Sequence, residues 1–164
     1  MMRNFIPLLL ITVFLSCKNK KKGDTNSNIN GQSLLFMIES GSLDDFNELT
    51  KRAGYICTDT TATPYFLIYR YKDTLIKGNE LSCHVLKDRH LDFIKLETND
   101  EAMFNGISKH FRNSGFITVE RARDSQQLGK PQSNIEIILF ISGFEKRKTY
   151  FVFVGRRPEN YPVN

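Results

Sequence analysis

The stretch NIEIILFISGFEKRKTYFVFV, residues 134–154, contains two strand-like segments separated by a charged turn at 145–148. Residues 134–142 and 149–154 are rich in Ile, Val, Phe and Tyr, which favour strands, and we predict one strand in each. Both segments are apolar on both faces. A layer of helices covers only one side of a sheet, so the other side needs a cover from the linker, the first helix, a polar loop or a partner.

Similar segments recur upstream of this stretch. Further strands are predicted at residues 55–60, 64–72, 81–86, 91–96 and 117–121. Helices are predicted at 33–41, from Ser42 with Asp45 as its capping partner, and from a Thr98–Glu101 capping box. Each helix ends at a glycine, a residue that tolerates the positive φ of a helix C-terminus: Gly41, Gly54 and Gly115. Residues 122–133 are predicted to be a long polar loop.

The same succession of residues occurs twice in the chain. Residues 46–55 and 104–116 each lead from a helix through a Gly-aromatic pair into a strand. We therefore predict an α+β fold in which two helices pack on one face of an antiparallel sheet. Two α-β-β-β units that arose by internal duplication are one interpretation, and chance repetition of helix and strand ends is the other.

Residues 33–164 are predicted to form a single domain, because their number suits one hydrophobic core. Of the 23 Lys and Arg residues in the chain, five precede residue 31, as does one of the 18 Asp and Glu residues. The remainder is therefore nearly neutral, with 18 basic and 17 acidic side chains. A nucleic-acid-binding domain usually carries a basic face, so we expect no nucleic-acid partner.

The N-terminus has the pattern of an export signal. Arg3 precedes an apolar run at residues 5–15, which is shorter than the roughly 20 residues that cross a bilayer. The sequence LSC at 15–17 resembles the lipobox of bacterial lipoproteins, in the loose form found in Bacteroidota. The resemblance implies that residues 1–16 are a signal peptide and that Cys17 becomes the lipidated first residue. A plain signal peptide or an uncleaved anchor is the alternative.

Residues 17–32 are predicted to be a lipidated basic tether and flexible linker. Lys18, Lys20, Lys21 and Lys22 follow the cysteine, and near anionic head groups each contributes about 1 kcal/mol to membrane attachment. A solvated tether is the alternative. Lipoproteins of this kind that reach the cell surface typically carry acidic residues there. The lysines therefore predict a lipid-anchored protein of the outer membrane that faces the periplasm.

No short catalytic motif is present: the sequence lacks a Gly-x-Ser-x-Gly elbow, a His-Glu-x-x-His pair, a phosphate-binding Gly-rich loop and a Cys-x-x-Cys pair. We expect a non-enzymatic protein without a cofactor. The tightest group of metal-ligating residue types is Cys83, His84, Asp88 and His90. Neighbouring strand residues point to opposite faces, so residues 83 and 84 cannot share a metal and no metal site is predicted.

Other polar groups receive structural interpretations. The acidic pairs at 44–45 and 100–101 fall in first turns of helices, where carboxylates complement the macrodipole. Arg156 and Arg157 either bind an anion or serve solubility. Cys57 and Cys83 lie on predicted strands with one strand between them, about 9–10 Å apart, so two free, buried thiols are expected.

The predicted partner surface consists of Tyr65, Tyr69 and Tyr71, which share one face of the strand at 64–72 by alternation. Phe66 and Ile68, on the opposite face, are expected to pack against the helices. An exposed aromatic patch usually marks a binding surface.

Three classes of function are consistent with these features. The first is a membrane-tethered, protein-binding module that uses the sheet face or the polar loop at 122–131, of which an immunity-type lipoprotein that blocks a toxin is the most concrete form. The second is a structural envelope lipoprotein without a defined ligand, which would have neither a concave site nor an exposed apolar face. The third is a hydrolase with an unfamiliar site, which would require polar side chains that converge in a pocket.

Overall fold

The structure is a computed structural model that describes residues 29–144 and 147–157. These ranges contain three helices, α1 (Gly31–Ser40), α2 (Leu43–Arg52) and α3 (Glu101–Asn113). Their eight strands are β1 (Tyr55–Ala62), β2 (Phe66–Asp73), β3 (Glu80–Leu86), β4 (Leu91–Thr98), β5 (Ile117–Arg121), β6 (Ser125–Gly129), β7 (Ile135–Phe144) and β8 (Arg147–Arg156).

The strands form one antiparallel sheet in the order β1-β2-β3-β4-β8-β7-β6-β5. Each half is a four-strand meander that follows a helix, and the halves join between β4 and β8, where Ile94 pairs with Val154. The predicted α+β class with an antiparallel sheet is confirmed, but each half has four strands, whereas the suggested α-β-β-β units have three. The order is symmetrical about the β4–β8 seam, as an internal duplication would produce, and the duplication itself stays a prediction.

The strand that the sequence did not predict is β6, which lies within the predicted loop. Its sequence, Ser-Gln-Gln-Leu-Gly, has little intrinsic strand preference. It is nevertheless paired on both sides, with β5 and β7, and Leu128 pairs with Ile137 in the core. Hydrogen bonding to two neighbours therefore overrides the local composition.

All three helices pack against the same face of the sheet. On this face the side chains of alternate residues in the central strands are buried, including Leu96 and Val152. The ring of Phe104 in α3 lies 4.9 Å from that of Tyr150 in β8, and Arg156 in β8 donates to the Ile38 carbonyl of α1. The expectation that two helices form this layer is not confirmed, because the short first helix also packs against β4 and β8.

The predicted helix ends are largely confirmed. Gly41 ends α1 with φ 65°, and Ser42 begins α2 by accepting a hydrogen bond from the Asp45 amide at 3.2 Å. The residue that caps α3 is Asp100, which accepts from the Met103 amide, and not Thr98. The Thr98 hydroxyl is buried and accepts from the Asp100 amide, so it supports the true cap from two positions further back.

The folded region begins earlier than composition predicted. Ile29 is 2% exposed, and Asn30 caps α1 by accepting from the Ser33 amide at 3.0 Å. The predicted boundary between residues 32 and 33 therefore lies at least four residues too late. The lipobox, Cys17, the lysine cluster and residues 158–164 lie outside the described residues.

Neither of the two cysteines in the described ranges forms a disulfide, as predicted. β2 separates their strands, with Cys57 opposite Tyr71 and Cys83 opposite Tyr69. Cys83 is buried, and burial raises the pKa of its thiol to about 12. The prediction that both thiols are buried is wrong for Cys57, because β1 is an edge strand and a bulge follows this residue.

Candidate functional site

The predicted tyrosine surface is not one exposed face. Tyr71 is 5% exposed, its ring meets that of Phe46 edge to face at 5.3 Å, and its hydroxyl donates to Asn47 Oδ1 at 2.5 Å. Burial raises the pKa of this phenol. Tyr69 is partly buried against the core, and Tyr65, which is 73% exposed, precedes β2. The prediction that these three rings form a partner surface is therefore wrong at Tyr71.

The reason is an inverted assignment of faces. Strand alternation groups Leu67 with Tyr69 and Tyr71 correctly, but it does not say which group faces the helices. In the folded sheet the tyrosine group faces the core, with Tyr71 against α2, while Phe66 and Ile68 lie on the other face. We call this second face the open face.

The open face carries a continuous row of six aromatic rings across five strands. Alternation on each strand and the cross-strand register bring these rings together on one face. We define the aromatic row by its members in spatial order: Phe66 (β2), His84 (β3), Phe93 (β4), Phe153 and Phe151 (β8) and Phe140 (β7). Four gaps between strands give the row a length of about 19 Å.

Successive rings of the aromatic row are in contact. Their centroid separations are 5.9, 5.2, 5.6, 6.2 and 5.7 Å from Phe66 to Phe140, within the range of favourable aromatic pairs. All six are partly exposed, whereas the ring contacts of α2 and α3 with β2 and β8 lie on the opposite face. The row is thus a self-packed apolar surface that still faces solvent. The two-sided apolar pattern of 134–154 indicated its β7 and β8 part, whereas Phe66 had been assigned to the core.

Gly155 makes room for the centre of the row. It lies opposite Phe93 across the β4–β8 seam, and a Cβ added there would stand 3.1 Å from Phe93 Cδ2. The Phe93 ring therefore covers the backbone of the neighbouring strand. This close approach lets Phe93 stack on Phe153 with an interplanar angle of 28°.

The charged side chains beside the row are paired with one another. Lys95 Nζ lies 2.9 Å from Glu97 Oε2 and 5.0 Å from the Phe151 ring centroid. Toward the two ends of the face, Arg70 pairs with Asp59, Lys72 with Glu80 and Arg157 with Glu136. The open face therefore has neither the basic stripe that binds nucleic acid nor a large acidic field.

His84 is the one titratable ring in the row. Burial among its neighbours lowers the pKa of this imidazole, the positive charges of Arg70 and Lys95 lower it further, and Asp92 opposes the shift. Protonation of His84 would place a charge in the middle of an apolar surface. The aromatic row is therefore least polar when His84 is neutral, as it is at pH values above the ordinary histidine pKa.

We predict that the domain loses stability as the pH falls below about 6.5, the ordinary pKa of His84. Between the lowered pKa of the folded state and 6.5, the imidazole of His84 binds a proton in the unfolded state but not in the folded state. Protonation therefore favours unfolding across this pH range. Urea unfolding across this pH range measures the effect. His84→Phe keeps an aromatic ring and should remove this part of the pH dependence. If the free energy of unfolding depended on pH equally in the native and His84→Phe proteins, the prediction would be contradicted.

A second feature is a cleft of about 230 Å³ between α3 and the β5–β6 hairpin, on the helix side of the sheet. Its apolar floor is formed by Phe104, Leu139 and Ile141. Its rim includes the side chains of Asn105, Ser108, Arg112, Arg121, Arg123 and Gln126. We call it the arginine cleft. Part of its rim comes from the predicted polar loop, which the sequence had already suggested as a binding region.

No protein-family model, curated protein or solved structure shows a significant match to this chain.

The arginine pair that ends β8 has structural roles. Arg156 Nη2 donates to the carbonyl oxygens of Ile38 at 2.9 Å and Glu39 at 3.3 Å, so it caps the C-terminal end of α1. Arg157 Nε lies 3.8 Å from Glu136 Oε2, and its side chain is mostly buried. The suggestion that this pair binds an anion is thus replaced by two intramolecular contacts.

The four metal-ligating residue types that are closest in the sequence, Cys83, His84, Asp88 and His90, do not converge in the fold. Cys83 faces the helices, and His84 faces the other way in the aromatic row. His90 lies beyond the turn, in an isolated bridge with Ser42. Within residues 29–144 and 147–157, no three His, Cys, Asp or Glu side chains are placed to hold a metal ion. Within the same ranges, none of the helices has the length and apolar composition of a transmembrane span.

Proposed function

We propose that this protein is a lipid-tethered, non-enzymatic, protein-binding module and that the open face is its binding surface. The observation that carries the proposal is the aromatic row, six touching rings left without a covering layer by the described part of the chain. Contiguous apolar patches of this kind on a protein surface commonly serve as sites of interaction.

The charges of the open face favour a protein partner. Aromatic residues contribute a large share of binding energy at protein interfaces, especially when polar groups surround them. Lys95–Glu97 and Arg157–Glu136 surround the row with matched charges. A partner that docks here would cover apolar rings without burying an unpaired charge. Burying an unpaired charge strongly destabilises an interface. An apolar protein surface fits this pattern better than a polyanion.

The tether belongs to the proposal through the sequence. The lipobox resemblance makes Cys17 the lipidated residue, and residues 18–28 then connect it to the folded region that begins by Ile29. Eleven residues reach at most about 40 Å when extended. The domain would therefore work within roughly one domain diameter of the outer membrane, on its periplasmic side. An immunity-type lipoprotein that blocks a toxin on the open face is the most concrete form of this function.

Site-specific photocrosslinking in cells tests the binding surface. A photoreactive phenylalanine analogue at Phe93 or Phe151 should yield a covalent adduct of one defined mass. The same analogue at the exposed Asn113, at the end of α3, is the matched control and should yield none. Absence of an adduct at both open-face positions, or an equal adduct at Asn113, would contradict the proposal. An adduct between two copies of this chain would contradict binding of a different protein.

The same strains test the tether. With the native sequence, metabolically supplied palmitate should label the protein and the adduct should fractionate with the outer membrane. Cys17→Ala should abolish the label and leave a precursor that still contains residues 1–16. A normal palmitate label in the Cys17→Ala protein would disprove lipidation at this residue, whatever the crosslinking shows.

A further inference from the structure

The arginine cleft brings together three cations from three different elements. Arg112 comes from the last turn of α3, Arg121 from the end of β5, and Arg123 from the turn that leads into β6. Arginine presents planar, fixed N–H donors that match the oxygens of phosphate and carboxylate groups. Their convergence on one concavity is the first indication of an anion site.

A β-bulge directs Arg121 toward the cleft. Thr118 and Arg121 are three residues apart, so regular alternation would put them on opposite faces of β5. Because of the register shift between Thr118 and Glu120, Thr118 pairs with Leu128 and Arg121 pairs with Gln126. Both pairs lie on the helix side of the sheet. Bulges commonly re-aim a side chain in this way. The irregularity therefore adds a third arginine to a face that would otherwise have two.

The other two arginines are positioned by hydrogen bonds. The Arg112 guanidinium donates to Thr118 Oγ1 at 3.1 Å and to Gln126 Oε1 at 2.5 Å, which fixes its orientation through two neutral acceptors. The turn that carries Arg123 is held because the Ile141 amide donates to the Asp124 carbonyl at 2.8 Å. The cationic rim is thus attached to both α3 and the sheet.

These charges are not neutralised by ion pairs. None of the three arginines forms an ion pair with a carboxylate of the described ranges. Asp124 is the one acidic residue among the described residues that line the cleft. Three cations and one anion leave a lining charge of +2, in contrast to the matched pairs of the open face.

We propose that the arginine cleft binds a phosphate monoester, either as a small organic phosphate or as the head group of a lipid. A phosphate monoester is close to a dianion at pH 7 and so matches the lining charge. Ser108 and Asn105 add neutral donors, and the apolar floor gives the organic part of the ligand a surface to contact. The cleft and the aromatic row lie on opposite sides of the sheet, so this inference does not depend on the proposed protein partner.

Calorimetric titration of the full lipidated chain in neutral detergent tests this site. The probes are glycerol 3-phosphate, which represents a free phosphate monoester, and dihexanoyl phosphatidic acid, which represents the lipid source. Dihexanoyl phosphatidylcholine, a diester without a dianion, is the ligand control. We expect saturable binding of at least one monoester and no comparable binding of the diester. Binding should weaken below about pH 6, where the phosphate becomes a monoanion.

The double substitution Arg121→Gln with Arg123→Gln should weaken binding of the monoester by about tenfold or more, because charge-assisted hydrogen bonds are lost. Lys87→Gln with Arg89→Gln is the matched control, since it removes the same charge from the exposed turn between β3 and β4. It should leave the affinity unchanged. Crosslinking at Phe93 should be unaffected by either double substitution.

The two monoester probes distinguish the sources of the phosphate. Binding of glycerol 3-phosphate shows that the phosphate group and its small organic part suffice, whereas binding of phosphatidic acid alone assigns the site to a lipid head group. Absence of saturable binding for both monoesters would overturn the proposal. An equal loss of affinity in the Lys87→Gln/Arg89→Gln control would also overturn it, because the attraction would then be a general effect of net charge.

Discussion

Replacing Tyr71 by Ser is expected to lower the free energy of unfolding by about 3 kcal/mol or more, which is the cost of truncating an aromatic ring in a core. The ring is buried under α2 against Phe46, and its hydroxyl is bonded to Asn47. The substitution removes the aromatic contact and leaves a cavity beneath the helix. The Asn47 amide oxygen loses its donor as well. Equilibrium urea denaturation, followed by circular dichroism, measures the change.

Tyr65→Ser is the matched control for this substitution. The two tyrosines lie six residues apart, but Tyr65 is 73% exposed and precedes β2. Its replacement should change the free energy of unfolding by less than about 0.5 kcal/mol, as is usual for surface positions. If Tyr71→Ser were as mild as Tyr65→Ser, the assignment of the tyrosine face to the core would be wrong. The partner surface would then have to be sought there again.

A chain that begins at Gln32 is expected to be less stable, by about 3–4 kcal/mol, than one that begins at Asn28. The shorter chain lacks Ile29, whose burial contributes roughly 2–3 kcal/mol, and the Asn30 cap of α1, which contributes about 1 kcal/mol. Both contributions come from residues that composition assigns to a flexible linker. Thermal and urea unfolding of the two chains measure the difference.

Single substitutions separate the two contributions. Ile29→Ala should reproduce most of the loss, and Asn30→Ala should reproduce the smaller part, because the Ser33 amide loses its acceptor. The Asn30→Asp substitution retains a capping oxygen and should be nearly neutral. Equal stability of the two truncated chains would mean that the folded region starts after Gln32, as the composition of the linker suggests.

Local chemistry made several parts of the fold predictable. The glycines after α1, α2 and α3 adopt positive φ, as their positions in the sequence indicate, and Ser42 caps α2 as predicted. Such features depend on a few neighbouring residues. β6 could not be found in this way, since Ser-Gln-Gln-Leu-Gly becomes a strand only because β5 and β7 lie on either side of it. The Thr98 cap was misplaced by two residues for a similar reason, as the Thr98 hydroxyl is held in the interior by Asn79.

The candidate sites were less predictable than the fold. The sequence indicated that the strands at 134–142 and 149–154 need cover on both faces. It also suggested the loop at 122–131 as a binding region. It did not indicate that His84 and Phe93 continue the row from β8 toward β2, because their adjacency depends on the seam between β4 and β8. Nor did it show that Arg112 and Arg121 line the same cleft, which requires a bulge in β5 and a helix placed over the hairpin.

The sequence by itself determined which residues of the regular strands share a face, where most helices end and that the sheet is antiparallel, because these properties arise from backbone geometry over a few residues. Only the tertiary structure decided which face the helices cover. Leu67, Tyr69 and Tyr71 place large, mostly apolar side chains on one face of β2, and Phe66 and Ile68 do the same on the other, so alternation alone does not choose between the faces. The helices α1, α2 and α3 select one face: they bury the tyrosine side and leave the aromatic row partly exposed to solvent.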